Sequence, residues 1–205
     1  MIDREVFFDS VRGELFGGAL QQVQVDGQNL ILSIYEGGYA GTPFTDQRWL
    51  AYLLAIVYHE TATRMWPITE FGSQEYLQSK EYWPYIGRGA IQITWEDNYR
   101  RASSMLGLID ERDLVDHPEV ALDSLISARI AFRGMAEGFF TGKKLGDYFN
   151  DDTDDPLNAR QIINGNDDDE LIRGYHNTFL AALKAATSSI ATDNGNPAPT
   201  ESVPV

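Results

Sequence analysis

The chain has 205 residues, of which 43% are hydrophobic, 12% aromatic and none cysteine. This suits one core-forming domain and excludes disulfides, a thiolate nucleophile and cysteine-ligated metal. With 16 basic against 31 acidic side chains the formal charge is −15, which opposes binding to nucleic acid or anionic membranes.

In chain order, Asp3 caps a short helix over residues 3–12, which Leu15-Phe16-Gly17-Gly18 ends. A second helical stretch starts near Ala19, pauses at Asp26-Gly27, resumes through Leu30 and Ile34, and stops at Gly37-Gly38. Gly38 to Thr45 reads as loop, with Thr45 or Asp46 as the next N-cap. The helix that follows carries Trp49, Leu50, Leu53, Leu54, Ile56 and Val57, too many apolar positions for a surface helix. It is the predicted central helix, and it delivers His59 and Glu60 at its end. Its apolar run, Leu50–Tyr58, is far short of the ~20 residues of a membrane span, so no membrane insertion is expected.

Met65 to Tyr85 reads as an irregular loop crowded with aromatics, folded on the core or lining a groove. Ile91–Thr94 is predicted as a short strand and Glu96–Leu106 as a helix closed by Gly107. His117-Pro118 opens a predicted long helix ending near Gly138. Asp155-Pro156 starts another that ends at Asn164-Gly165. Asp167–Glu170 caps the last helix, which reaches about Thr187. The pattern is mainly α with little strand, in one domain over 1–188 with a disordered tail over 189–205.

Two carboxylates in different surroundings, with polar groups to hold water and sugar, are what glycoside hydrolysis requires. Glu60 and Glu70 are the candidates. The plain alternative for Glu60 is an ion pair with Arg64 one turn on; Glu75 and Glu81 share the loop with Glu70. Arg88, between Gly87 and Gly89, suits either a bidentate grip on a carboxylate or a role in fixing the turn. Gln92 and Thr94, two apart on an extended run, point to one side, where an amide and a hydroxyl orient water and an N-acetyl group. His59 on a buried helix is more often a core residue than a catalyst. The three histidines, His59, His117 and His176, offer no helical ligand pair, and the acidic runs lack EF-hand spacing. Neither a metal nor a cofactor is expected.

The order His59-Glu60-Thr61, then Tyr85-x-Gly87-Arg88-Gly89-x-Ile91-Gln92-Ile93-Thr94, then Asn98-Tyr99, then Ala159-Arg160-Gln161-Ile162-Ile163-Asn164-Gly165 resembles glycoside hydrolase family 19 over roughly residues 45–185. That family includes plant class I and II chitinases and bacterial and phage endolysins. The resemblance implies a lysozyme-like, bilobed helical domain with a cleft, and cofactor-free single displacement with inversion. By position it implies Glu60 as general acid, Glu70 as general base and Thr94 as a holder of the attacking water. It implies sugar contacts at Gln92, Asn98 and Asn164, with Tyr85 and Arg88 shaping the cleft; His59, beside the acid, is counted with these substrate-binding residues. The chain departs from the plant pattern in having no cysteines and in placing Ala62-Thr63 where Gly-Gly often follows His-Glu-Thr. Its short loop around Glu70 resembles the bacterial and phage branch. The implied partner is peptidoglycan, with a chitin-like polysaccharide as the alternative and a non-catalytic glycan-binding or virion module as a third reading. A monomer is expected. The start Met1-Ile2-Asp3-Arg4-Glu5 carries no recognisable secretory leader. The expected route is cytoplasmic synthesis, then release by a holin, a virion or a secretion system.

Overall fold

Thirteen helical residues of α1 (Arg4–Phe16) open the fold because Asp3 accepts from the backbone N–H groups of Glu5 and Val6, and Gly17 in the left-handed region closes it. The computed structural model describes residues 1–38, 44, 46–165 and 167–193. The predicted loop at Gly38–Thr45 therefore lies largely outside the described residues, as do Thr45 and the tail beyond 193.

Helix α2 (Gln22–Glu36) runs unbroken through Gly27, where a pause was expected. A Cβ on Gly27 would stand 1.8 Å from the Met65 carbonyl oxygen, so this glycine allows backbone to approach a helix rather than ending one. Asp46 caps α3 (Gln47–Glu60) through the Arg48 N–H. Every residue of α3 from Leu50 to Tyr58 is buried, as its apolar pattern predicts. It packs chiefly on α8 (Asp169–Asp193), which also covers α1. Helix α8 continues past the predicted end at Thr187 to Asp193.

The aromatic segment is more ordered than its composition implies. It contains β1 (Ile68–Thr69) and α4 (Gln74–Gln78), the latter capped by Ser73. β1 pairs antiparallel with β2 (Arg88–Gly89), Ile68 opposite Gly89 and Thr69 opposite Arg88. The strand predicted at Ile91–Thr94 is absent as such. Only Ile93 bridges back to Arg88, and Gln92 sits at φ 52°, which breaks the extended run. Helix α5 (Glu96–Leu106) is closed by Gly107 as predicted.

The long helix expected from Pro118 is divided. A 3-10 turn (Pro118–Leu122) precedes α6 (Ser124–Glu137), because Asp123 is extended and its side chain caps the Ile126 N–H. The helix expected after Pro156 is a 3-10 turn (Asn158–Ile162), preceded by short α7 (Leu145–Tyr148). One hydrophobic core joins α1, α3, α6 and α8. Mainly helical with a two-stranded hairpin, the fold is the mainly α architecture predicted. Among the described residues no helix is long and apolar enough to cross a membrane.

Candidate active site

Glu60 is the last residue of α3, and its side chain keeps 18% exposure. Arg64, its partner in the alternative reading, points elsewhere, with its guanidinium carbon 5.6 Å from the Phe71 ring centroid. The carboxylate instead accepts from Arg160 at 3.0 Å through Oε1. Arg160 is almost wholly buried, at 3% side-chain exposure, and its Nε donates to the Asp167 carbonyl at 3.1 Å. A buried guanidinium is tolerable only because its fork is filled in this way. His59, beside Glu60, is half-buried and faces Asp168, with Nε2 3.6 Å from Oδ2.

From Glu60 the backbone turns through a strap, residues 61–67. Ala62, Thr63 and Met65 all have positive φ, an uncommon run for residues with a Cβ. Three contacts hold it there. Thr61 Oγ1 accepts from the Met65 N–H at 2.9 Å, the Gln24 amide donates to the Thr63 carbonyl at 3.1 Å, and the Met65 carbonyl lies against Gly27. The strap leads into β1 and then to Glu70.

Glu70 is held differently. Oε2 accepts from the Gly87 N–H and Oε1 from the Tyr82 hydroxyl, each at 2.9 Å. Its own N–H donates to the Gly87 carbonyl at 2.7 Å. Burial first, and the bond to Glu70 second, raise the Tyr82 hydroxyl, which keeps it a donor. Gln92 completes this corner, donating from Nε2 to the carbonyls of Ile68 and Gly89, both at 2.9 Å. A Cβ on Gly87 would meet Gln92 Oε1 at 2.9 Å and Glu70 Cβ at 3.2 Å, so glycine there lets the two side chains converge.

The other predicted residues are placed as follows. Thr94 is partly buried, and its carbonyl accepts from the Asn98 amide at 2.8 Å. It does not share a strand face with Gln92, because Gln92 leaves the extended region. Arg88 does not grip a carboxylate. It donates to the Pro84 carbonyl at 2.9 Å and the Tyr99 hydroxyl at 3.1 Å, so it fixes the turn. Burial pushes the Tyr99 hydroxyl up to about 12, and it donates to the Ile86 carbonyl at 2.6 Å. Tyr85 packs on Tyr99, with centroids 5.4 Å apart, and donates to the Val115 carbonyl. Asn164 is exposed and its amide faces Asp167 at 3.4 Å. The fold therefore groups Glu70, Gln92 and Gly87 in one corner, and Glu60, Arg160 and Asp167 in another. The strap and β1 join them.

Arg160 and Tyr82 were not anticipated as site residues. The signal for Arg160 was present: one arginine among Ala159, Ile162 and Ile163 is a buried charge in need of a partner. Around Glu70 the surface is aromatic, with Phe71, Trp83 and Trp95 at 62%, 41% and 49% exposure. Exposed rings suit the apolar faces of sugars. Among the described residues no three His, Asp or Glu side chains gather as a metal site.

The chain is thus a mainly α domain in which a strap and β1 connect two separately held carboxylates. Comparison with known proteins makes this specific. Chitinase C from Streptomyces griseus HUT6037 superposes with a TM-score of 0.55 at 20% identity, over 89% of this chain and 76% of that one. A bacterial family 19 chitinase superposes at 0.52 and 20% identity, over 89% of this chain and 94% of its own. The fold is that of the family 19 chitinases. No protein-family model matches the chain. In sequence it is 34% identical over 116 residues to a basic endochitinase of Vitis vinifera, covering 46% of this chain and 35% of that protein. It is 33% identical over 114 residues to chitinase 3 of Oryza sativa subsp. japonica, covering 45% and 34%. The match spans about a third of the length of these curated relatives. Sequence and fold thus agree with the resemblance read from the motifs.

Proposed function

We propose that the chain is an endo-acting, inverting glycoside hydrolase that cleaves β-1,4 bonds of N-acetylhexosamine glycans. The observation that carries this reading is the contrast between its two carboxylates. Glu60 is bound through Oε1 to a buried arginine, which fixes the carboxyl group and makes Oε2 the atom that meets the glycosidic oxygen in the proposed step. Glu70 has one donor on each oxygen, and each oxygen keeps capacity to accept from a water. In the proposed step Glu60 gives its proton to the glycosidic oxygen as the bond to C1 breaks. A water adds to C1 from the opposite face and passes its proton to Glu70. Thr94 and Gln92 orient that water and the sugar amide, and Asn98, Asn164 and Tyr85 line the glycan path.

The preferred substrate is bacterial peptidoglycan, reached after release from the cytoplasm. The absence of cysteine and the short Glu70 loop support it. Chitin oligomers are the second reading, favoured by the names of the sequence relatives and fold neighbours.

Product analysis tests both. The protein and its Glu60→Gln variant are incubated with purified peptidoglycan and with chitin hexamer, and the anomer formed first is read by proton NMR. Muropeptides of α configuration from the parent, with turnover in Glu60→Gln reduced by ~100-fold or more, are expected. Chitin fragments alone would promote the second reading. Undiminished turnover in Glu60→Gln would remove Glu60 from its role.

A further inference from the structure

The strap between the two carboxylates forms one wall of a cavity of about 500 Å³, a size suited to a small ligand. Gln21 and Gln24 at the start of α2 form the facing wall, and Thr63, Arg64, Trp66 and Pro67 come from the strap. In a chain of net charge −15 the cavity is lined by one arginine and by no Asp or Glu. Arg64 forms no ion pair among the described residues, because Glu60 takes Arg160 instead and Arg64 lies over Phe71. A guanidinium carried on a strained, three-way-anchored backbone and paired with no carboxylate among the described residues is available to donate to an anion. The half-buried Trp66 indole beside it offers an apolar face.

A neutral N-acetylhexosamine chain offers this cation only uncharged hydroxyl and carbonyl acceptors, whereas a glycan whose sugars carry a carboxylate-bearing peptide branch offers it an anion. Resting on the peptidoglycan reading above, we infer that this cavity receives the lactyl-peptide branch of a muramoyl residue. Arg64 binds its carboxylate, Trp66 packs on its aliphatic part, and the glycan backbone passes the two glutamates. The cavity adjoins the site through the chain: Ala62, Thr63, Arg64, Trp66, Pro67 and Ile68, which line it, all lie on the segment that joins Glu60 to Glu70. Arg64 is then a specificity determinant that separates branched, anionic glycan from chitin.

The test is binding, in a protein unable to turn over. Full-chain Glu60→Gln is titrated with muramyl dipeptide, and the indole N–H signals of its four tryptophans are followed by NMR, with Trp66 assigned through Trp66→Phe. Saturable movement of the Trp66 signal is expected. Affinity should fall at least tenfold in Glu60→Gln/Arg64→Ala and recover in part with lysine at 64. Arg64 is exposed, so these variants fold, which circular dichroism checks. A silent Trp66, or an Arg64→Ala affinity equal to the parent's, would overturn the inference. So would equal movement with N,N′-diacetylchitobiose or with inorganic phosphate, since neither carries the branch. Failure of the wild type to release muropeptides would sink the proposed function alone, because this binding is read without turnover.

Discussion

Arg160 carries the electrostatics of the Glu60 corner. Its guanidinium is almost fully buried and reaches both Glu60 and Asp167. Replacing it with leucine leaves a largely buried carboxylate without its donor, and breaking such pairs costs about 3 kcal/mol or more. Urea unfolding of Arg160→Leu should show a loss of that order. Arg160→Lys keeps the charge but not the fork, so it cannot hold both partners in one plane. It should fold near normally and lower kcat at least tenfold with little change in KM, since it misplaces the proposed acid without touching the sugar. An unchanged kcat in Arg160→Lys would mean that Glu60 is placed by α3 alone. The motif 159–165 contained this arginine, yet its role was not legible. The hydrogen bond spans a hundred residues, from 60 to 160, and no local pattern encodes it. Glu60 and Gln92 drew notice through the local motifs that contain them, yet their partners Arg160 and Ile68 are just as remote in sequence.

At the scale of elements, the interface of α3 and α8 holds a buried histidine. His176 stacks on Phe149 at 5.3 Å and lies against Tyr52, and its Nδ1 and the Tyr52 hydroxyl have no hydrogen-bond partner among the described residues. Burial first, then the charges of Arg48 and Lys184, bring its imidazole down to about 4 from 6.5, against an opposing pull from Asp46. The folded value lies below the unfolded one, so the contribution is fully present above about 6.5 and is lost as pH falls toward 4. The full effect is about 3 kcal/mol. His176→Phe should therefore lose about 2.5 kcal/mol less stability than the parent between pH 7 and 4.5, as read by urea unfolding at each pH. Two glycines give a second contrast. Gly174 is an exposed helical glycine with open space around its Cβ position, so Gly174→Ala should stabilise by roughly 0.5–1 kcal/mol. Gly27→Ala would drive a methyl into the Met65 carbonyl and should cost roughly 3 kcal/mol and displace the strap. From sequence both are merely glycines in helical stretches. What separates them is a backbone arriving from residue 65, and for that reason Gly27 read as a pause. Helices with local signals were legible: α1 and α3 through Asp3 and Asp46, α5 through Gly107. The hairpin was not, because a two-residue strand at 68 finds its partner at 89 through pairing, not propensity.

For the whole molecule, charge and fold pull against each other. Mainly α architecture was readable from apolar periodicity, and within it the strap and β1 link the two carboxylates. The −15 charge was readable too, yet it opposes the anionic envelope that the proposed substrate belongs to. The two effects act over different ranges. Repulsion from the whole surface is felt across a Debye length, which shrinks from ~30 Å at 0.01 M salt to ~8 Å at 0.15 M. Contacts within the site, such as the inferred one between Arg64 and a carboxylate, act at hydrogen-bond distance and are screened far less. Moderate salt should therefore remove the long-range penalty first. KM on soluble peptidoglycan strands should fall several-fold between 10 and 150 mM salt, while KM on neutral chitin hexamer stays nearly constant. Initial rates across that range in both substrates check this. A KM on peptidoglycan that rises steadily with salt would mean that net attraction dominates. The local cation at Arg64 would then outweigh the field of the whole chain even at a distance.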